Sequence, residues 1–146
     1  PNSLVDGTGT SWVWQSWTPS YTNISVGNGT VSAKYTQIGK TVFFRYSLVF
    51  GATSTFGSNP TISFPVTTVT YPGSAARNVI GHVTYYDSGV NPYIGQVRWN
   101  TTTTMTLRVL EASGSYVQSG SVSSTVPLAA WGAGDELFVE GMVEAA

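Results

Sequence analysis

The stretch at residues 27–51, GNGTVSAKYTQIGKTVFFRYSLVFG, decides the fold class of this chain. It opens with Gly and Asn residues typical of a hairpin turn, and a second turn signal follows at Gly39 and Lys40. After that turn, alternate side chains of a strand would point to opposite sides. One side is apolar and must face a core: Val42, Phe44, Tyr46, Leu48 and Phe50. The other side is mixed and carries Phe43 and Val49, which predicts a second face that is not fully solvated.

The same period of two recurs along the chain, and no window has the period of an amphipathic helix. The segments are PTISFPV at 60–66, ARNVIGHVTYYD at 76–87, YIGQVRWN at 93–100, TMTLRVLEA at 104–112 and DELFVEGMVEA at 135–145. Pro60 and Pro65 confine the first of them to a short strand or to a sheet edge. Such strands, punctuated by Gly, Pro and Asn, predict an all-β fold, an antiparallel β-sandwich or jelly roll of roughly eight to ten strands.

The chain length of 146 residues fits one domain with one core. Residues 1–11 are polar and rich in Gly, which predicts an arm or linker, and residues 12–146 form a single β-sandwich head domain. Because the sequence starts at Pro1 without Met, we interpret it as a fragment or a processed product.

Charge and cysteine content narrow the function classes. Only 9% of the residues are charged, the net charge is −1, and the basic residues are scattered, which argues against nucleic-acid binding. No apolar run approaches the ~20 residues of a membrane span, so we expect no membrane insertion. The absence of Cys excludes disulfides and thiolate metal sites, and stability must come from packing.

The sequence offers little support for catalysis or for a metal. His82 is the only histidine, and a triad would need Asp6, Asp87 or Asp135 to orient it, yet His82 lies in mid-strand and no nucleophile elbow occurs. One His and scattered Asp are too few for a histidine-based metal site, although calcium on Asp87 and loop carbonyls stays open. We therefore predict no enzyme, no metal and no cofactor.

Acidic residues of the last segment could supply the carboxylate pair of a glycosidase. These are Asp135, Glu136, Glu140 and Glu144. The three Glu residues share one strand face with Phe138 and Met142 between them. We interpret this face as a solvated stripe or as protection of an edge strand, part of which also suits a subunit contact.

Aromatic residues raise the best functional question, since rings that stack on sugars also close the ends of β cores. The five tryptophans, for which core closure is the preferred interpretation, are Trp12, Trp14, Trp17, Trp99 and Trp131. The segment YYDSGVNPY at 85–93 is a better binding candidate because it combines aromatic and polar side chains in a predicted loop. The predicted saccharide-binding residues are Tyr85, Tyr86, Asp87, Asn91 and Tyr93.

Three stretches carry a resemblance to a known family. They are residues 17–51 with a Trp-Thr-Pro start and a Gly-Asn-Gly-Thr turn, TISFPV at 61–66, and PLAAWGAGDELFVEGMVEAA at 127–146. Together they resemble the C-terminal module of tail-associated proteins, minor tail or tail-fibre heads, of phages that infect actinobacteria and other Gram-positive hosts. Residues 68–125 match more loosely.

The resemblance implies a virion tail-tip or fibre head, extracellular, usually trimeric and in contact with the host surface and other tail proteins. It supplies no site residues. We therefore expect a homotrimer that attaches the virion to a host cell-surface glycan, with Phe43, Val49, Phe138 and Met142 covered by neighbouring subunits. A carbohydrate-binding module of a secreted bacterial protein and a purely structural trimeric cap remain as alternatives.

Overall fold

A computed structural model describes residues 13–146, apart from the side chain of Ala76. The predicted arm at 1–11 and Trp12 lie outside the described residues. The strands are β1 Gln15–Ser16, β2 Tyr21–Ser25, β3 Thr30–Ile38, β4 Thr41–Val49, β5 Thr55–Ser63, β6 Val79–Tyr86, β7 Pro92–Thr101, β8 Thr104–Ser113, β9 Tyr116–Ser121 and β10 Glu136–Glu144. A short 3-10 helix at Ala75–Arg77 precedes β6.

All described strand pairs are antiparallel and belong to one sheet of ten strands. Its order is β1-β3-β4-β10-β6-β7-β8-β5-β2, and β9 pairs with β8 beside this path. The hairpin predicted at Gly39 and Lys40 is present as β3–β4. The hairpin predicted at residues 27–29 is wrong, because that turn joins β2 to β3 and these strands do not pair with each other: β2 pairs with β5. The prediction of an antiparallel all-β fold is therefore confirmed.

The sheet curls so that its two ends approach each other across the core. The ring centroids of Tyr21 on β2 and Tyr46 on β4 are 6.1 Å apart, although these strands lie near opposite ends of the sheet. Phe50, directly after β4, lies 6.3 Å from Phe56 on β5. One side of the sheet thus encloses the core in a sandwich-like arrangement, and the opposite side faces outward.

The buried side chains follow the predicted alternation. The core includes the inward residues of β4 with Phe50, those of β8, and those of β10: Val42, Phe44, Tyr46, Leu48, Phe50, Met105, Leu107, Val109, Leu137, Val139 and Val143. Burying one large apolar side chain contributes about 1.5–3 kcal/mol, so this face supplies most of the driving force for folding.

The prediction that the segment around Pro60 is short or at an edge is wrong. β5 has nine residues and lies between β8 and β2. Pro60 fits there because the β2–β5 pairing is interrupted between Thr22 and Ile24, while pairing with β8 begins only at Thr61. The missing N–H of the proline therefore removes no ladder hydrogen bond.

Candidate functional site

The segment predicted as a binding loop is a tight β-hairpin. Tyr85 and Tyr86 end β6, Tyr93 lies in β7, and only residues 87–91 form the turn. The turn is closed by hydrogen bonds from the Val90 amide to the Asp87 carbonyl, 2.9 Å, and from the Asp87 amide to the Asn91 carbonyl, 3.2 Å. The binding residues proposed from the sequence thus sit mostly on paired strands.

Tyr85 corrects the sequence-based site, because its side chain is fully buried. Its ring packs edge-on against Phe56 at 6.4 Å and Trp131 at 6.1 Å, and its hydroxyl donates to the Arg108 carbonyl at 3.2 Å. Burial raises the pKa of Tyr85 well above its ordinary value, an effect that the positive charge of Arg108 partly offsets. Tyr85 is a core residue and cannot offer its ring to a ligand.

The other hairpin residues do not form one platform. Tyr85 pairs with Tyr93 and Tyr86 pairs with Pro92, and paired residues share a side of the sheet. Tyr86 is therefore outward and exposed, whereas the half-buried Tyr93 lies on the inner side at its rim. Asp87 is half-buried and Asn91 is exposed in the turn. The alternation of side chains from Val83 onward is the feature of the sequence that places the rings of Tyr85 and Tyr86 on opposite sides of the strand.

Three of the tryptophans close the core, as preferred from the sequence. Trp99 is buried and its indole N–H donates to the Thr68 hydroxyl at 2.9 Å. Trp131 stacks on Phe56 with centroids 4.2 Å apart, and Trp17 packs edge-on against Tyr35 at 6.2 Å.

The acidic residues considered for glycoside hydrolysis differ in burial and in their contacts. Asp135 is buried, and its carboxylate accepts from the Ser88 amide at 3.0 Å and the Gly132 amide at 2.6 Å. It ties the β6–β7 turn to the segment before β10. Glu136 and Glu144 are exposed at the two ends of β10, and Glu140 lies between them.

The outward side of β4 and β10, together with His82 of β6, is here called the outer face, and it carries large apolar side chains in contact with solvent. Phe43, Val49, Phe138 and Met142 are 38%, 39%, 40% and 51% exposed. Phe43 and Met142 are directly paired across β4 and β10. A sheet face with this many exposed apolar side chains is typical of an interaction surface. This residue set agrees with the one singled out from the sequence.

A row of charged side chains crosses the outer face between these apolar residues. Glu140 pairs with Arg45 on one side and with His82 on the other. His82 Nε2 and Glu140 Oε1 lie 3.0 Å apart, with both side chains about half exposed. Such exposed pairs contribute about 0–1 kcal/mol to stability, so the row matters more for what it can recognise.

Trp14 extends the outer face at its β4 side. Its ring lies over the guanidinium of Arg45, with 4.5 Å between the guanidinium carbon and the ring centroid. Trp14 is 42% exposed. Below it is a groove of about 520 Å³. Its lining combines apolar and charged groups: Trp14, Thr36, Phe43, Phe44, Arg45, Ile80, Gly81, His82, Glu140, Gly141 and Met142.

Within residues 13–146, no group of three or more His, Asp or Glu side chains is placed to hold a metal ion. In the same part of the chain, no helix has the length and apolar character needed to span a membrane.

Comparison of the chain with protein families, with curated proteins and with solved structures found no match.

Proposed function

We propose that this chain is the head domain of a phage tail protein, which assembles as a homotrimer and attaches the virion to a saccharide of the host surface. The observation that carries this proposal is the outer face with its exposed Phe43, Val49, Phe138 and Met142. The resemblance of residues 17–51, 61–66 and 127–146 to phage tail modules gives that face its context.

A second copy of the chain is the occupant that fits the outer face best. The face has both signs of charge in one row, with Lys34 and Arg45 on β3 and β4 and Glu140 on β10. A neighbouring copy can therefore offer a carboxylate to the basic part and a guanidinium to the acidic part, while the apolar side chains are removed from water.

The saccharide site of this proposal is the outward side of the β6–β7 hairpin, now without Tyr85. Tyr86 offers an exposed ring, and Asn91 and Asp87 offer an amide and a carboxylate to sugar hydroxyls. A shallow site of this size binds weakly, with a dissociation constant of about 1 mM. Repetition on a trimer and on a virion compensates for that weakness.

The test is attachment of the full chain, displayed on beads, to host cells and purified wall glycans. Tyr86→Ala should abolish attachment, because it removes the exposed ring. Tyr93→Ala should weaken it less, because that ring lies on the other side of the hairpin. The matched control is Tyr116→Ala, since Tyr116 is 82% exposed but belongs to the β8–β9 hairpin.

The outcomes separate the alternatives. Binding that survives Tyr86→Ala contradicts the hairpin site but leaves the attachment function. Binding to soluble polysaccharides without any preference for host cells favours a carbohydrate-binding module of a secreted protein. If the display binds no host envelope at all, attachment is wrong and a structural trimeric cap takes its place.

A further inference from the structure

A second concave surface lies on the outward side of β5, β7 and β8, away from the Tyr86 hairpin. It is a pocket of about 280 Å³, here called the arginine pocket. Its lining consists of amide, hydroxyl and guanidinium groups with one small apolar residue: Asn59, Thr61, Ala75, Arg98, Asn100, Thr106 and Arg108. No carboxylate is part of this lining.

The two guanidiniums of the pocket are close enough to affect each other. Arg98 pairs with Thr106 and Arg108 pairs with Gln96, which makes the two arginines diagonal neighbours on adjacent strands. The pKa of Arg98 is lowered, first by its partial burial and second by the positive charge of Arg108. Two like charges are thus held together at the cost of mutual repulsion.

Neither arginine has an acidic partner among the described residues. The salt bridge found in that part of the chain joins His82 and Glu140. Arg108 Nη1 donates to the Ser121 hydroxyl at 2.8 Å, which fixes its position. Glu111 is the next acidic residue along β8, and its carboxylate accepts a hydrogen bond from Gln118. The same carboxylate lies against Gly120, which pairs with Val109, a residue on the inward side of the sheet. Its carboxylate is therefore on the opposite side of the strand.

Arg98 also leaves a donor without a partner. Its Nε is buried and has no hydrogen-bond acceptor in the described part of the chain. A buried donor of a charged group costs free energy unless something accepts from it, so Arg98 is not held in place by a full set of hydrogen bonds of its own.

The backbone beside the pocket is unusual as well. Asn59 has a φ of 48°, in the left-handed region, within a strand. The side-chain oxygen of Asn59 accepts a long hydrogen bond from Arg108 Nη1, with 3.4 Å between the two atoms. Residues held in sparsely populated conformations cluster at ligand sites.

We propose that the arginine pocket binds an oxyanion, a phosphate or carboxylate group carried by a larger molecule. Arg98 and Arg108 donate to the oxyanion in the bidentate manner suited to guanidinium, and Thr61 and Asn100 line the pocket beside it with groups that can bond attached hydroxyls. Anion binding here is independent of whether the domain attaches a virion to a host.

The test is an amide NMR titration of the full chain at constant ionic strength. The probes are inorganic phosphate, glucose 6-phosphate, glucuronate and, as a neutral reference, glucose. We expect saturable shifts in the resonances of Arg98, Arg108, Asn59 and Thr106 with the two phosphates, with glucuronate, or with all three anions, whereas glucose leaves these resonances unchanged. The comparison of phosphates with glucuronate identifies which oxyanion the pocket takes.

Substitutions complete the test. Arg98→Gln and Arg108→Gln should each weaken binding by about tenfold or more, because a charge-assisted hydrogen bond is lost. Lys40→Gln, which removes the same charge at an exposed turn outside the pocket lining, should have no effect. Asn59→Gly keeps the backbone conformation accessible, and it should weaken binding without loss of folding.

Two results would overturn the proposal. One is the absence of saturable shifts with every anion. The other is an equal loss of binding in Lys40→Gln and Arg98→Gln, which would mean that anions respond to net charge and not to the pocket.

Discussion

The buried phenol of Tyr85 makes the stability of the folded chain depend on pH. Its hydroxyl reaches the Arg108 carbonyl, and burial raises its pKa above the ordinary value of about 10. The folded chain therefore keeps the proton at a pH where the unfolded chain releases it. The contribution of Tyr85 to stability is fully present below about pH 10 and is lost as the pH rises further.

We predict that Tyr85→Phe makes stability less sensitive to alkali. Above about pH 10, the wild-type free energy of unfolding should fall by about 1.4 kcal/mol per pH unit for each such tyrosine. Tyr46, whose pKa is also raised by burial, keeps its share in the variant. Urea unfolding between about pH 8 and 11 measures the slope. Tyr116→Phe is the exposed control, and equal slopes for all three proteins would contradict the prediction.

At the scale of elements, the β7 strand passes so close to its neighbours that one position excludes any side chain. A Cβ on Gly95 would lie 1.9 Å from the Arg108 carbonyl oxygen and 2.9 Å from Val83 Cγ1. Backbone atoms cannot move aside without separating β7 from β8.

We predict that Gly95→Ala destabilises the domain by about 1–3 kcal/mol, the usual cost of overpacking. Chemical denaturation at neutral pH measures the change. The control is Gly132→Ala, where the nearest atom, Asp135 Oδ2, is 4.0 Å from the added Cβ. A Gly95→Ala protein as stable as this control would show that the sheet yields more easily than its packing indicates.

The elements also show what sequence can predict. The faces of β4, β8 and β10 follow from local alternation, since a strand turns every second side chain to the same side. The position of β10 between β4 and β6 does not follow, because pairing between distant segments depends on how the whole sheet closes.

The candidate sites also combine features that local sequence predicts with features that depend on the pairing of distant strands. The loop predicted at 85–93 is present only at residues 87–91, because strand pairing continues up to Tyr86 and Pro92, and the predicted site therefore includes the buried Tyr85. The arginine pocket joins β5, β7 and β8, and no local pattern brings Asn59 together with Arg98 and Arg108.

At the scale of the whole molecule, the proposed attachment depends on copy number. Under the proposed function, one shallow hairpin site would bind at about 1 mM, and three linked copies would raise the apparent affinity by about 10²–10⁴ without any new contact. If the proposal is right, substitutions on the outer face change the number of linked sites, whereas substitutions in the Tyr86 hairpin change the strength of each site.

We predict that the double variant Phe43→Ser and Phe138→Ser folds normally but sediments as a monomer, because it loses two apolar side chains of the outer face. Its single-site affinity for a saccharide, measured by NMR, should equal that of the wild type, while its apparent affinity for host cells falls by about 10²–10⁴. Val117→Ser is the matched control, since Val117 is 69% exposed on the β8–β9 hairpin. A wild-type chain that sediments only as a monomer at micromolar concentration would contradict the subunit contact. Full attachment by a monomeric double variant would instead show that one copy of the site is sufficient.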